Sequence, residues 1–246
     1  TLYEKDKQLG GQANLAKMLP GRGELEEWVR WPSTQIKKLG VEVVLGKEVT
    51  PQLVAELKPD AVVVATGSLP LRNGLQGYTR AEIPGWNQGF VVTAEDILLG
   101  KAKVGQNVVI YATDASIKGP GMAEYLVEQG KNVQIISRDF ALGNMVEPRM
   151  MGDVLQRMLP KGVKHIASTL VTRILDHAVA TKHAYSGEES IIPADTVVLV
   201  TGNRSHAALY LALKGRVKEI YRIGDCLAPG RVDRAIYQGH RVGREL

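Results

Sequence analysis

Ala61-Val62-Val63-Val64-Ala65-Thr66-Gly67 is the run from which the fold is read. An unbroken β-branched stretch of this kind is expected of a strand covered on both faces, as in a parallel sheet. It stops in Thr-Gly, and the same ending returns in Thr196-Val197-Val198-Leu199-Val200-Thr201-Gly202. Two such endings predict two similar halves. Around them, apolar runs at 41–45, 107–111, 133–137 and 220–223 read as further strands. Amphipathic stretches predict helices over 24–38, 121–129, 150–158 and 232–245. Strands alternating with helices give an α/β fold. The Gly- and Pro-rich stretch 69–105 reads as an irregular connection with a domain boundary near residue 102, and Lys214-Gly215-Arg216 marks a second boundary. The expected organisation is one nucleotide-binding domain made of 1–101 and 216–246, with a second, 102–215, inserted in it.

Composition narrows the function. Of 246 residues, 44% are hydrophobic and 23% charged, ordinary values for a globular protein. The 26 glycines and 5% aromatics suit tight turns between strands and helices. No apolar run approaches the roughly 20 residues of a membrane helix. The net charge of +5 is spread along the chain without a Lys/Arg block, which argues against a nucleic-acid partner and suits a phosphate-bearing cofactor. The single cysteine, Cys226, excludes an internal disulfide and, within this segment, a cysteine-ligated iron–sulfur cluster, which takes about four thiolates. Cys226 reads as buried and inert, with a redox-active thiol as the alternative, and a cytoplasmic location is expected. The five histidines show no metal-ligand spacing, and no catalytic Ser/His/Asp or paired-carboxylate grouping is visible.

Five segments carry candidate chemistry. The opening Thr1-Leu2-Tyr3-Glu4-Lys5 reads as the end of a strand already under way, so that a first strand and its G-x-G-x-x-G turn are expected ahead of it. Glu4 then stands where an acidic residue hydrogen-bonds an adenosine ribose, with a surface Glu as the alternative. Gly10-Gly11-Gln12 allows close approach of the backbone to a ligand. Ala65-Thr66-Gly67 ends a buried strand at the edge where ligands of open α/β sheets sit. Gly224-Asp225 places a carboxylate before a helix, facing sugar or ribityl hydroxyls, unless Asp225 simply caps that helix. The stretch 107–138 has the length of a second dinucleotide unit. Its turn, Ala112-Thr113-Asp114-Ala115-Ser116-Ile117-Lys118-Gly119-Pro120-Gly121, lacks the expected glycines and sets Asp114 where a pyrophosphate would lie. Loss of NAD(P)H binding is expected there. A variant loop that still binds, with Arg138 selecting a 2′-phosphate, is the alternative.

Gly224-Asp225-Cys226-Leu227-Ala228-Pro229 and Ala235-Ile236-Tyr237-Gln238-Gly239-His240-Arg241 resemble the C-terminal motif of the trimethylamine, dimethylamine and histamine dehydrogenase family. Gly10-Gly11-Gln12, Leu19-Pro20-Gly21, the stretches 59–70 and 197–202, and Thr93-Ala94-Glu95-Asp96 match in the same order. The resemblance covers nearly the whole chain. It implies two Rossmann-like FAD/NAD(P)-binding domains of the pyridine nucleotide-disulfide oxidoreductase type, one inserted in the other, with the first βα unit missing. It further implies an upstream flavin barrel carrying FMN and a 4Fe–4S cluster and holding the substrate contacts. FAD or ADP would bind this segment, and NAD(P)H is doubtful. By the same resemblance Glu4, Lys5, Gly11, Gln12, Val49, Ala65, Thr66, Gly67, Gly224 and Asp225 are the expected cofactor-binding residues, with the Val49 backbone facing adenine. The implied activity is oxidation of N-methylated amines or a similar small substrate. An enoate or 2,4-dienoyl-CoA reductase part, and a non-catalytic docking domain for an electron partner, are the alternatives. A flavoprotein electron acceptor and a homo-oligomer are the expected partners, with neither nucleic acid nor membrane.

Overall fold

The computed structural model describes residues 1–246. Its strands are β1 Leu2–Glu4, β2 Val43–Leu45, β3 Val62–Val64, β4 Ser68–Pro70, β5 Val91–Thr93, β6 Asn107–Ala112, β7 Asn132–Ile136, β8 Lys164–Ile166, β9 Thr169–Leu175, β10 Ala178–His183, β11 Glu189–Pro193, β12 Thr196–Val200, β13 Asn203–Ser205 and β14 Ile220–Arg222. Its helices are α1 Gln12–Ala16, α2 Glu27–Lys38, α3 Pro51–Leu57, α4 Ala94–Leu98, α5 Lys118–Val127, α6 Pro148–Met158, α7 Ala208–Leu213 and α8 Val232–Glu245. The chain divides into two compact units, one made of 1–14, 24–69 and 203–246, the other of 15–23 and 70–202.

The second unit is built on a parallel sheet of order β5-β12-β6-β7-β8. The β-branched run of β12 is explained by its two covered faces, whereas that of β3, expected to be buried in the same way, is not: Val62 is half-buried and Val63 is 40% exposed in a two-stranded sheet. Val108, Ile110, Val198 and Val200 join a core with Met122 and Leu126 of α5 and Val154 of α6. Their neighbours Val109, Tyr111, Val197 and Leu199 point the other way, into a core with Val171, Ile174 and Val179 of the antiparallel sheet β11-β10-β9. Alternate side chains of one strand thus feed two cores, as the two-residue strand period requires. Helix α5 lies close on the sheet: a Cβ at Gly119 would stand 2.7 Å from that of Ala112. Its fully buried Glu124 accepts from Arg157 Nε (2.7 Å) and Nη2 (3.1 Å), which ties α5 to α6.

The first unit contains the parallel pairs β1–β2 and β3–β14 and the ribbon β4–β13. Helix α3 begins with Thr50, whose hydroxyl accepts from Leu53 N–H, and with Pro51 in its first turn. Buried apolar residues are fewer here: Leu25, Val54, Val64, Leu213, Cys226 and Val242. On α8 only Val242 is buried, while Ile236 is 51% exposed.

The unit boundaries fall at 69/70 and 202/203, ahead of those expected near 102 and 215. The cause lies in 70–101, whose β5 pairs with β12 and whose α4 buries Ile97 and Leu98 in the core of the second unit. A capping box between Thr93 and Asp96 starts α4, so 91–98 is regular, while 71–90 takes the irregular course that its composition suggested. At the other end, α7 packs on β14 and α3 within the first unit. The segment 15–23 joins the second unit through Leu15 and Leu19.

Candidate functional site

In the first unit, β3 and β14 run in parallel, and Ile223 N–H donates to Val64 C=O (3.1 Å) where the pair ends. Both loops leaving these strands begin with a left-handed glycine step: Gly67 at φ +74° and Gly224 at φ +60°. Thr66 Oγ1 donates to His206 C=O at 2.5 Å and lies 3.3 Å from Cys226 Sγ. Gly67 C=O accepts from His206 N–H (2.9 Å), and Leu71 N–H donates to Gly202 C=O (3.0 Å). The two Thr-Gly echoes therefore lead into one ribbon, β4 against β13, whose strands run in opposite directions.

Ser68 sits at the centre of this arrangement and is buried. Its Oγ donates to Asp225 Oδ2 (2.7 Å) and accepts from Gln12 Nε2 (3.0 Å) and Asn203 Nδ2 (3.0 Å). Gln12 Nε2 also donates to Ser68 C=O (2.8 Å). The other Asp225 oxygen, Oδ1, accepts from Gly230 N–H (3.1 Å). Asp225 is not the cap of α8, since the residue preceding that helix is Arg231, with no side-chain cap. Gly224 N–H is held by Gln238 Oε1 (2.6 Å). Gly11, at φ +46°, has no atom within 4 Å of the place a Cβ would take, so its backbone faces open space.

Glu4 and Lys5 lie apart from these, at the carboxyl end of β1–β2. Glu4 ends β1 opposite Leu45, and one of its oxygens accepts from Asp6 N–H (2.9 Å). Lys5 is exposed, and Val49 is half-buried just before α3. Of the expected residues, Gln12, Ala65, Thr66, Gly67, Gly224 and Asp225 are thus gathered by the Ser68 hydrogen bonds and the β3–β14 pair. Sequence reasoning missed Ser68, Asn203 and Gln238. Each of the first two directly follows a Thr-Gly echo, but nothing local marks either as a partner of Asp225.

The corresponding place in the second unit is filled by the chain itself. Asp114 accepts from Ser116 N–H (3.1 Å) and Ser116 Oγ (2.9 Å). Burial pushes the Asp114 carboxyl above the usual carboxylate range, opposed by the charge of Lys118. Lys118 Nζ is paired with Glu95 Oε1 (2.9 Å). Ala115, at φ +53°, accepts from Met145 N–H (3.1 Å), which draws the stretch after β7 over the loop. The remaining cavity, lined by Asp114, Ser116, Ser137 and Asp139, has about 10 Å³, room for roughly one water. The Arg138 guanidinium lies over the rings of Tyr78 (4.8 Å) and Tyr185 (5.9 Å). Gly119 and Gly121 survive for packing, against Ala112 and Leu19.

A parallel strand pair ending in glycine turns, with acceptor side chains at its carboxyl edge, defines the class of nucleotide-binding α/β oxidoreductase domains. The sequence pattern of that class, pyridine nucleotide-disulphide oxidoreductase, matches residues 4–239, and the chain belongs to this family. It is 27% identical to N,N-dimethylglycine/sarcosine dehydrogenase of Chromohalobacter salexigens over 100% of this chain and 40% of the relative. It is 28% identical to NADH oxidase of Thermoanaerobacter brockii, over 100% of this chain and 37% of the relative. The structure of histamine dehydrogenase from Rhizobium sp. 4-9 superposes with a TM-score of 0.94 at 28% identity, over 100% of this chain and 40% of that one. The chain therefore spans about two fifths of the length of the proteins it matches. The likeness to the amine dehydrogenase family holds along the whole chain. No helix is long and apolar enough to cross a membrane.

Proposed function

We propose that this chain is the nucleotide-holding portion of an FMN- and 4Fe–4S-dependent oxidoreductase acting on N-methylated amines or a similar small substrate, with FAD or ADP bound by its first unit. The observation that carries the reading is the set of acceptors at the carboxyl edge of β3–β14, held by Ser68. Asp225 keeps lone pairs beyond those used by Ser68 and Gly230, and Gln12 keeps its Oε1, so both suit ligand hydroxyls. The open backbone at Gly11 suits close approach of a diphosphate, and Glu4 and Val49 suit the adenosine end. FAD, if that is the nucleotide, supplies a carrier that passes electrons singly or in pairs. The residues of this chain bind and orient it. Substrate contacts, FMN and cluster lie in this reading outside the chain, in a cytoplasmic homo-oligomer that hands electrons to a flavoprotein acceptor. The second unit keeps the fold without holding NAD(P)H, because Asp114, Met145 and the Tyr78–Arg138–Tyr185 stack take up the space and charge a dinucleotide would need. Heat release of bound ligand from the complete protein, followed by chromatography, should yield ADP or FAD. Recovery of neither would overturn the site assignment.

The likeness to an NADH oxidase favours a second reading, an enoate or 2,4-dienoyl-CoA reductase part fed by NAD(P)H. NADPH would then bleach the flavin of the complete enzyme within one turnover, and an unbleached spectrum excludes it.

A further inference from the structure

Asn73-Gly74 lies in the irregular stretch after β4, and of the seven asparagines of the chain Asn73 alone is followed by glycine. Asparagine is a thermolabile residue, and a following glycine leaves the next backbone nitrogen unshielded by a Cβ. The fold sets three groups around this pair. Leu75 N–H donates to Asn73 Oδ1 (3.3 Å), a turn that brings the side-chain carbonyl back over the Gly74 peptide. Asn73 Nδ2 donates to Glu82 Oε1 (2.7 Å), and the other Glu82 oxygen accepts from Trp86 Nε1 (3.1 Å), so the carboxylate is held in place. Gly74 N–H has no hydrogen-bond partner. Gly74 itself is buried at φ +63°, where a Cβ would stand 2.7 Å from Ile83 Cδ1. Ile83 N–H donates to Asn73 C=O (3.2 Å), so the peptide joining the pair is fixed by its neighbours.

We infer that Asn73-Gly74 is a self-modification site, at which the fold promotes cyclisation of the asparagine to a succinimide and its opening to aspartate or isoaspartate. The Gly74 nitrogen attacks Asn73 Cγ and gives up its proton. The bond from Cγ to Nδ2 breaks, and that nitrogen leaves as ammonia carrying the proton. Water then opens either carbonyl of the ring, so no oxidant or other reactant is needed. Each of the three groups meets one need of the first step. Leu75 N–H stands where negative charge develops on Oδ1. Glu82 carries the charge opposite to that developing on the leaving nitrogen. The unpaired Gly74 nitrogen, held in a fixed turn, reaches the carbonyl without first breaking a hydrogen bond. Glu82 is exposed and Asn73 half-buried, so water has access for the second step. The aspartate product exchanges the donor to Glu82 for a second carboxylate, and isoaspartate adds a methylene to the backbone. Either product loosens the connection that sets Ile83 in the core of the second unit and Gln76 against Tyr111.

The test is to age the full chain in warm, mildly alkaline buffer, native and urea-unfolded side by side. The peptide containing Asn73 is followed by mass spectrometry, and isoaspartate by enzymatic methylation. The native chain should convert Asn73 at least as fast as the unfolded chain does, while the other asparagines stay intact. Glu82→Gln should slow the native reaction about tenfold, the scale of one hydrogen bond to a charged group, and leave the unfolded rate unchanged. An Asn73 that stays intact in the native chain while the unfolded chain converts it overturns the inference, because the fold then protects the pair. Conversion in neither state overturns it as well. A native Glu82→Gln chain that reacts as fast as wild type overturns the role of the carboxylate. If Glu82→Gln does not fold, the ratio of native to unfolded rates in the wild type decides the matter alone.

Discussion

Helix α5 follows the altered loop of the second unit, and its Glu124 offers a clean perturbation. The carboxylate is 1% exposed by its side chain and receives Arg157 through two nitrogens, at 2.7 and 3.1 Å. Arg157→Met leaves a buried charge without its main partner. Breaking a buried pair costs about 3–5 kcal/mol when both ions are dry. Here Arg157 is 39% exposed and Lys161 Nζ stays 3.5 Å from the same oxygen, so solvent and the second cation reduce the loss to about 2 kcal/mol. At about 2–4 °C per kcal/mol for a chain of this size, Tm should fall by about 4–8 °C. The double variant Glu124→Leu/Arg157→Met removes the charge with its partner. It should recover most of that loss, because an apolar pair of similar volume is close to neutral. Differential scanning calorimetry of the wild type, both single variants and the double variant supplies the cycle. A single-variant loss below about 0.5 kcal/mol, or a double variant less stable than the sum of the singles, refutes the reasoning.

Three further outcomes are expected. Gly119→Ala drives a Cβ to 2.7 Å from the fixed Cβ of Ala112, and the overpacking outweighs the gain in helix propensity, for a net loss of about 1–2 kcal/mol in chemical denaturation. His165, half-buried with Nε2 2.8 Å from Ser137 Oγ, is held below its ordinary value by burial. The unfolded chain therefore binds its proton first, so this contribution to stability is complete above about pH 6.5 and is lost as pH falls through the lower folded value. Between pH 6.5 and 5 the Tm of His165→Gln should fall less steeply than that of the wild type, and parallel slopes would count against it. Cys226 is 0% exposed, so a thiol reagent should leave the native chain unlabelled for the minutes in which the denatured chain takes up a full equivalent.

The parallel core was legible because its strands are covered on both faces. The apolar runs at β6 and β12 have no polar side to hide them, and all of Thr196–Val200 is buried. The antiparallel sheet β9–β11 escaped reading because its outer face is polar: Arg173, Lys182 and Glu189 are exposed, and only alternate residues reach the core. Local sequence also undervalued 91–98, where a strand of three residues and a helix of five are held by neighbours far along the chain. At the candidate site, the glycines and Asp225 were readable as strand endings. Ser68 was not, because its role depends on partners 56, 135 and 157 residues away, a relation that no local pattern encodes. The altered loop after β6 was readable as a loss of glycines. That Asp114 would bond Ser116, and that the stretch after β7 would cross over it, came from the fold.

In the proposed function the nucleotide lies in the first unit, with its adenosine end beside Glu4 and Val49, and not in the altered loop of the second. A light-activated azido-ADP, crosslinked to the full chain and mapped by peptide mass spectrometry, tests this most directly. Label on peptides containing Glu4 or Val49, displaced by FAD, is the predicted result. Label concentrated in residues 112–145, displaced by NADH, would contradict it.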